Sequence, residues 1–299
     1  MDLISIRRKY RNKRNTIIIA FLVTIFLLCV ITIQEIRTII IKERVYVSFE
    51  KQYEEAIIRE QKMIQEKKAK EEAERKAKLP NLTQEGINNI TNLYQSTEKR
   101  VFLTFDDGPS KNATIPILDI LKQENIKASF FVLGSRVELY PNIVKRAYDE
   151  NHYIANHGYS HIYSQIYASP QSVFDEYSKT LTAIQNALGT QEYNPHLFRF
   201  PGGYTGGRYA QIKQEASVLL EQNGIVKVDW NALTGDSAGN KTTEQFLQEI
   251  DKTANGKNTV VVLMHDAGDK LATVEALPQI IAYFRDRGYA FENFYSVIK

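Results

Sequence analysis

From about residue 100 to the C-terminus, short runs of β-branched and aromatic residues alternate with stretches patterned as helices. Apolar runs bounded by glycine and proline favour buried strands. The strand-like runs are 101–105, 128–133, 153–156, 197–200, 225–230, 259–264 and 289–294. The helix-like stretches are 114–124, 141–150, 170–188, 208–222, 243–254 and 275–287. This alternation predicts a parallel sheet with helices outside it, as a distorted (β/α)7-type barrel. An open doubly wound sheet is the alternative.

The N-terminus has the pattern of a membrane anchor. Residues 1–14 are basic, and the 18 residues from Thr16 to Ile33 carry no charge. A helix of this length roughly spans a bilayer core, and positive charge before the span favours a cytoplasmic N-terminus. We therefore predict a cytoplasmic tail at 1–14, a transmembrane helix at 15–33 and an extracellular remainder. A cleaved signal peptide is the alternative, but no small-x-small cleavage site follows the run.

Residues 34–78 are dense in Glu, Lys, Gln and Ala and contain no glycine or proline, which favours one long helix. Phe49, Tyr53, Ile57 and Ile64 share one helical stripe, so a short coiled coil is an alternative to a solvated stalk. Pro80 ends the pattern, and 81–97 resemble a polar linker. The predicted boundaries are therefore 34–97 for stalk and linker and 98–299 for the globular domain.

Composition excludes some classes of function. The net charge of +3 is too small and too scattered to predict a nucleic-acid partner. The single cysteine, Cys29, lies inside the N-terminal apolar run, so the globular part can form neither a disulfide nor a cysteine-based metal site.

Ionisable side chains cluster where the predicted strands end. Asp106 and Asp107 lie in the run TFDDGP, at the end of the first strand, where a bend in the backbone can turn both carboxylates to one site. An ordinary surface turn is the alternative. The other strand ends carry His157, His161, Arg199, Asp236 and His265. Because the C-terminal ends of parallel strands meet at one rim, these side chains predict an active site there.

The residue types at this rim suit metal-assisted hydrolysis. On a helical turn, the four-residue spacing of His157 and His161 would place both imidazoles on one face. Two histidines and a carboxylate suit zinc or another divalent first-row ion. Arg199, between two phenylalanines, needs a carboxylate partner because a buried unpaired charge is costly. Gly202, in the glycine pair that follows, lets a backbone N–H approach a ligand closely.

Five segments together resemble the motifs of the polysaccharide deacetylase family, the NodB-homology hydrolases, over roughly residues 98–299. They are Thr104–Pro109, His157–His161, Arg199–Gly203, Trp230–Asp236 and Leu263–His265. The resemblance implies a distorted barrel of the NodB-homology kind. Two positions depart from the family pattern. Gly158 replaces a usual Ser or Thr, and Ser237 replaces a frequent Trp.

The resemblance also implies a ligand set for the metal. Carried over position by position, Asp107, His157 and His161 would hold a divalent ion. Zinc is the favoured ion, and cobalt or nickel are alternatives.

The remaining roles implied by the resemblance concern proton transfer and substrate binding. Asp106 would be the general base, with Arg199 as its partner. His265 would be the general acid, oriented by Asp236. The backbone N–H of Gly202 would help to bind the oxyanion, and Trp230 would contribute to the substrate-binding wall.

These roles imply a hydrolase that removes acetyl groups from N-acetylated sugars of a cell-wall polysaccharide, with peptidoglycan GlcNAc as the favoured substrate. The partners would be a glycan polymer and, through one N-terminal helix, a membrane. Alternatives are a deacetylase of chitin-type oligomers or O-acetylated xylan, and a catalytically silent glycan-binding module. The sequence leaves open whether GlcNAc or MurNAc is attacked and what the oligomeric state is.

Overall fold

The structure is a computed structural model that describes residues 2–239 and 242–298. The chain divides into two compact units, one ending at Lys76 and the other beginning at Ala77. The first unit consists of helix α1 (Leu3–Ala77), which continues one residue into the second and has no buried residue. In the described part of the chain, α1 is the one helix long and apolar enough to cross a membrane.

The second unit is a curled parallel sheet with helices packed against it. Its strands are β1 (Arg100–Asp106), β2 (Ser129–Val132), β3 (Tyr153–Asn156), β4 (Leu197–Phe198), β5 (Val226–Lys227), β6 (Ala232–Leu233), β7 (Thr259–His265) and β8 (Ala290–Glu292). The sheet order is β5-β4-β3-β2-β1-β7-β6, and β8 also pairs with β1. Strands β5 and β6 follow each other in the chain but end the sheet on opposite sides, so the barrel is incomplete between them.

Most helices of this unit connect one strand to the next, whereas the first, α2, precedes β1. They are α2 (Gln84–Thr91), α3 (Thr114–Gln123), α4 (Gly134–Leu139), α5 (Pro141–Asp149), α6 (Tyr163–Ile166), α7 (Pro170–Leu188), α8 (Ala210–Gln222), α9 (Thr243–Ala254) and α10 (Leu271–Asp286). All seven predicted strands and all six predicted helices of the domain are present. Strand β6 and the short helices α4 and α6 were not predicted, because elements of two to six residues are too short to show a period.

Strand β1 separates two layers of apolar core. Its alternate residues Val101, Leu103 and Phe105 pack with the outer helices. Phe102 faces the other way, into a second cluster inside the curled sheet. Because side chains alternate along a strand, the inner face continues through Thr104 to Asp106 at the strand end. The alternation of side chains along β1 therefore places the carboxylate of Asp106 on the inner face of the sheet, at the end of the strand.

The structure differs from the predicted polar linker at 81–97. This segment forms α2 and the turn Leu93–Gln95, and the folded unit already begins at Ala77. Ile90 and Leu93 are buried in the same cluster as Phe102. Two apolar residues three apart make only a narrow stripe, and the polar residues around them, such as Asn89, Thr91 and Asn92, give the segment the composition of a linker.

Candidate active site

The two consecutive aspartates face one site because the backbone bends sharply between them. Asp106 ends β1, whereas Asp107 has φ +74°, in the left-handed region that non-glycine residues seldom adopt. Such conformations cost free energy and concentrate at functional sites. The bend that the sequence predicted at this strand end is present, and it allows both carboxylates to approach the same histidine.

Asp107, His157 and His161 form a compact group of donor atoms. Their ligand atoms lie within 4.8 Å of one another. Asp107 Oδ1 is 3.5 Å from His157 Nε2 and 3.4 Å from His161 Nε2. This oxygen is buried and has no hydrogen-bond partner in the described part of the chain. A buried acceptor flanked by two imidazole nitrogens fits a divalent cation placed among the three atoms.

The imidazole of His157 is held in its neutral form. Its Nδ1 lies 2.8 Å from the backbone oxygen of Arg199, and because a carbonyl only accepts, Nδ1 carries the proton. Nε2 is then left with a lone pair toward Asp107. Burial lowers the pKa of His157 to about 3, which outweighs the opposing effect of Asp107. The ring is therefore uncharged and able to donate an electron pair.

The two histidines do not lie on a helical turn, which corrects the sequence interpretation. Residues 157–162 form an irregular loop after β3, and His161 itself has φ +58°. The imidazole centroids are 5.4 Å apart. A left-handed residue in the loop, instead of helical spacing, turns the second ring back toward the first.

Arg199 is fully buried, and one of its nitrogens is paired with Asp106. Its Nη1 donates to Asp106 Oδ1 at 2.7 Å and to Thr104 Oγ1 at 2.8 Å. Nε and Nη2 donate to the backbone oxygens of Val228 and Asp229. The predicted carboxylate partner of Arg199 is thus Asp106, and the backbone acceptors satisfy the rest of the guanidinium.

The net pKa shift of Asp106 is upward, opposite to the direction expected from Arg199 alone. Burial raises the pKa of Asp106, and the charges of Arg199 and His265 offset this only in part. Asp106 is 2% exposed, so the loss of hydration outweighs even an ion pair at 2.7 Å.

His265, at the end of β7, forms a second buried pair with Asp236 in the loop after β6. Asp106 and His265 lie side by side in the β1–β7 register. Asp236 Oδ1 is 2.8 Å from His265 Nδ1, and Asp236 Oδ2 accepts from the backbone N–H of His265 at 2.7 Å. Burial disfavours the charged ring, but the hydrogen bond and charge of Asp236 prevail and raise the pKa of His265 to about 9.

Comparison with known proteins identifies this arrangement. The family model described as polysaccharide deacetylase matches residues 94–220. A peptidoglycan-N-acetylglucosamine deacetylase of Bacillus cereus is 32% identical over 197 residues, covering 66% of this chain and 86% of that protein. This chain belongs to the polysaccharide deacetylase family.

Two further relatives agree with this placement in the polysaccharide deacetylase family. The peptidoglycan-N-acetylglucosamine deacetylase PgdA of Listeria monocytogenes 10403S is 35% identical over 195 residues, which are 65% of this chain but 38% of that protein. The structure of a Streptococcus mutans CE4 esterase superposes with a TM-score of 0.61 at 35% identity, covering 69% of this chain and 89% of that one. The predicted family and the incomplete barrel are confirmed.

At the first departure from the family motifs, Gly158, the loop is held by hydrogen bonds with other residues. The N–H of Gly158 donates to Asn156 Oδ1 at 2.9 Å. Glu176 on α7 accepts from the backbone N–H groups of Tyr159 and Ser160 at 2.6 and 2.7 Å, and from Ser160 Oγ at 2.7 Å. Glu176 thus holds the loop between the two histidine ligands. Glu176 could not be predicted from the sequence, because no local pattern links a mid-helix acid to a loop 16 residues earlier.

The second departure leaves the site more open on one side. Ser237 is exposed, so no aromatic wall follows Asp236. Trp230 lies instead against the glycine turn, where a Cβ on Gly203 would be 3.0 Å from its ring. Gly202 has φ +74°, a conformation that glycine adopts without strain. Trp230 therefore packs directly against Gly203, the residue after Gly202 in this turn.

Proposed function

We propose that this protein is a metal-dependent hydrolase that removes acetyl groups from N-acetylated sugars of a cell-wall polysaccharide, with peptidoglycan GlcNAc as its substrate. The observation that carries the proposal is the convergence, on one rim, of a three-ligand group with two separate acid–base pairs. The names of the Bacillus cereus and Listeria monocytogenes relatives support peptidoglycan over chitin-type oligomers and acetylated xylan.

Asp107, His157 and His161 would hold the metal, and one carboxylate with two imidazoles suits zinc, with cobalt or nickel as alternatives. Such an ion, when bound, polarises the acyl oxygen and lowers the pKa of water. The side chains of Asp107 and His161 are 22% and 32% exposed, so a substrate can reach the proposed metal site from solvent.

The remaining side chains carry out proton transfer. Asp106 accepts the proton of the attacking water, and Arg199 fixes the carboxylate that does so. His265, protonated through Asp236, donates to the departing amine nitrogen, which leaves poorly as an anion. The backbone N–H of Gly202 points a donor at the acyl oxygen as charge develops there. Base and acid are thus separate residues on adjacent strands.

The test compares Asp106→Asn with Asp107→Asn in the full-length chain, solubilised in detergent and supplied with zinc. Acetate release is measured from acetylated peptidoglycan fragments, chitin oligomers and acetylated xylan, with a chelator control. We expect Asp106→Asn to lose at least about 100-fold in rate while still binding zinc, because a general base contributes that much. Asp107→Asn should lose zinc as well. Full activity in Asp106→Asn would contradict the assignment of the base.

We also propose that residues 15–33 anchor the enzyme in the cell membrane, with 1–14 in the cytoplasm and the catalytic domain outside. The length and apolar character of α1 and the basic residues before the span support this. A chain of full mass should remain in the membrane after alkaline carbonate extraction and be digested by protease added to intact cells. A secreted chain that lacks the first 33 residues would instead identify a signal sequence.

A further inference from the structure

A group of three tyrosines flanks the proposed metal group. The ring of Tyr163 lies 5.5 Å from the imidazole of His161, 5.8 Å from Tyr167 and 6.4 Å from Tyr209. Tyr167 is 1% exposed, whereas Tyr163 is 40% exposed. Tyr163 is therefore held by aromatic contacts on its inner side and remains accessible to a molecule that enters the site.

The hydroxyl of Tyr163 lies over the glycine turn. A Cβ on Gly202 would be 2.5 Å from Tyr163 Oη, closer than real side chains come. A glycine at this position is what leaves space for the hydroxyl. The phenol from the loop after β3 thus reaches the backbone that is the proposed oxyanion donor, although the two residues are far apart in sequence.

The hydroxyl of the neighbouring Tyr167 is occupied by a hydrogen bond within the protein. Tyr167 Oη donates to the backbone oxygen of Pro201 at 2.7 Å and so holds the turn. Nothing in the described part of the chain hydrogen-bonds the hydroxyl of Tyr163. A positioned hydroxyl at the opening of the site that bonds no described residue is available to a substrate.

We propose that Tyr163 is a further catalytic residue, whose hydroxyl donates a hydrogen bond to the substrate's acyl oxygen beside the backbone N–H of Gly202. This assignment rests on the proposed function. Because the hydrogen bond strengthens as negative charge develops on that oxygen, Tyr163 lowers the barrier more than it tightens ground-state binding.

The decisive variant is Tyr163→Phe in the full-length protein, which keeps the ring contacts and removes the hydroxyl. We expect kcat to fall about 100-fold, the usual effect of removing one oxyanion donor, with KM and zinc affinity unchanged. Tyr209→Phe is the matched control, since it removes a phenol oxygen from the same aromatic group and should leave kcat unchanged. An unchanged kcat in Tyr163→Phe, or an effect confined to KM, would overturn the assignment.

Acetate binding provides a readout that does not depend on turnover. The carboxylate of acetate retains the acyl oxygen, so Tyr163→Phe should bind acetate about 10-fold more weakly than the wild type, as expected for a lost hydrogen bond to a charged group. Equal binding by both proteins would overturn the role of Tyr163. If the wild type binds acetate through Tyr163 but releases none from any glycan, the proposed substrate class fails while the Tyr163 contact stands.

Discussion

At the scale of single residues, the charge state of His265 depends on Asp236. Both carboxylate oxygens of Asp236 contact His265, one at the ring and one at the backbone N–H, and Thr273 Oγ1 donates to the second oxygen at 2.9 Å. Burial alone would raise the pKa of Asp236, but these contacts lower it, so the carboxylate stays charged. The ring is therefore held protonated and correctly oriented at neutral pH.

Replacing Asp236 with Asn should move the alkaline limit of activity to lower pH. His265 acts as an acid only while protonated, so activity falls as pH rises through its pKa, which Asp236 raises to about 9. Without the carboxylate charge the proton is lost at lower pH, and the alkaline limb of a kcat profile shifts by about one unit or more. Asp269→Asn, an exposed acid that pairs with Lys270, is the control. An unshifted limb in Asp236→Asn would show that His265 is not the acid.

The residue types at the site could be predicted from sequence because burial and charge constrain them strongly. An arginine between two phenylalanines demanded a carboxylate, and Arg199 pairs with Asp106. The pKa of Asp106 could not be predicted in the same way, because it depends on how completely three strands enclose it. The conformation of the loop after β3 could not be predicted from the four-residue spacing of its histidines, since that spacing does not distinguish a helical turn from a loop with a left-handed residue.

At the scale of elements, the loop after β3 depends on α7. Glu176 makes three hydrogen bonds to Tyr159 and Ser160, which lie between the two histidine ligands. The loop has no regular structure of its own, so its conformation is set by the helix that packs beneath it. Helix α7, which contains none of the proposed metal ligands, thereby holds the loop between two of them.

Glu176→Ala should weaken metal binding without unfolding the domain. Loss of the three hydrogen bonds frees the loop, and removal of groups that orient ligands typically lowers metal affinity about 10- to 100-fold. Competition with a chromogenic chelator measures this directly. Asp175→Ala, the exposed neighbour on the same helix, is the matched control and should bind zinc as the wild type does. Wild-type affinity in a folded Glu176→Ala protein would contradict the role assigned to the glutamate.

The longer elements were predictable because their apolar runs have a clear period. Strand β7, Thr259–His265, is buried along almost its whole length, and its run of valines predicts a buried strand. Strand β6 has two residues and α2 has eight, and both are stabilised by contacts with segments distant in sequence. Ile90 and Leu93 illustrate this, since their burial needs Phe102 and Val261 on the sheet.

At the scale of the whole molecule, sequence predicted the parallel sheet and its rim but not the strand order. Parallel pairing places β1 between β2 and β7, with β8 against its first half. A helix between two strands predicts that the strands are parallel. The alternation of side chains along a strand does not predict which other strand will pair with it. The meeting of Asp106 with His265 is a consequence of that order alone.

The central place of β1 also sets the sequence of events when the enzyme is made. Its residues pair with those of β7, which lie 159 positions later in the chain. A polypeptide still emerging from the ribosome contains the three proposed metal ligands, Asp107, His157 and His161, before His265 has been made. A chain that ends before β7 therefore contains the three proposed metal ligands but lacks the proposed general acid, so the complete set of site residues exists only once the last strands have been made.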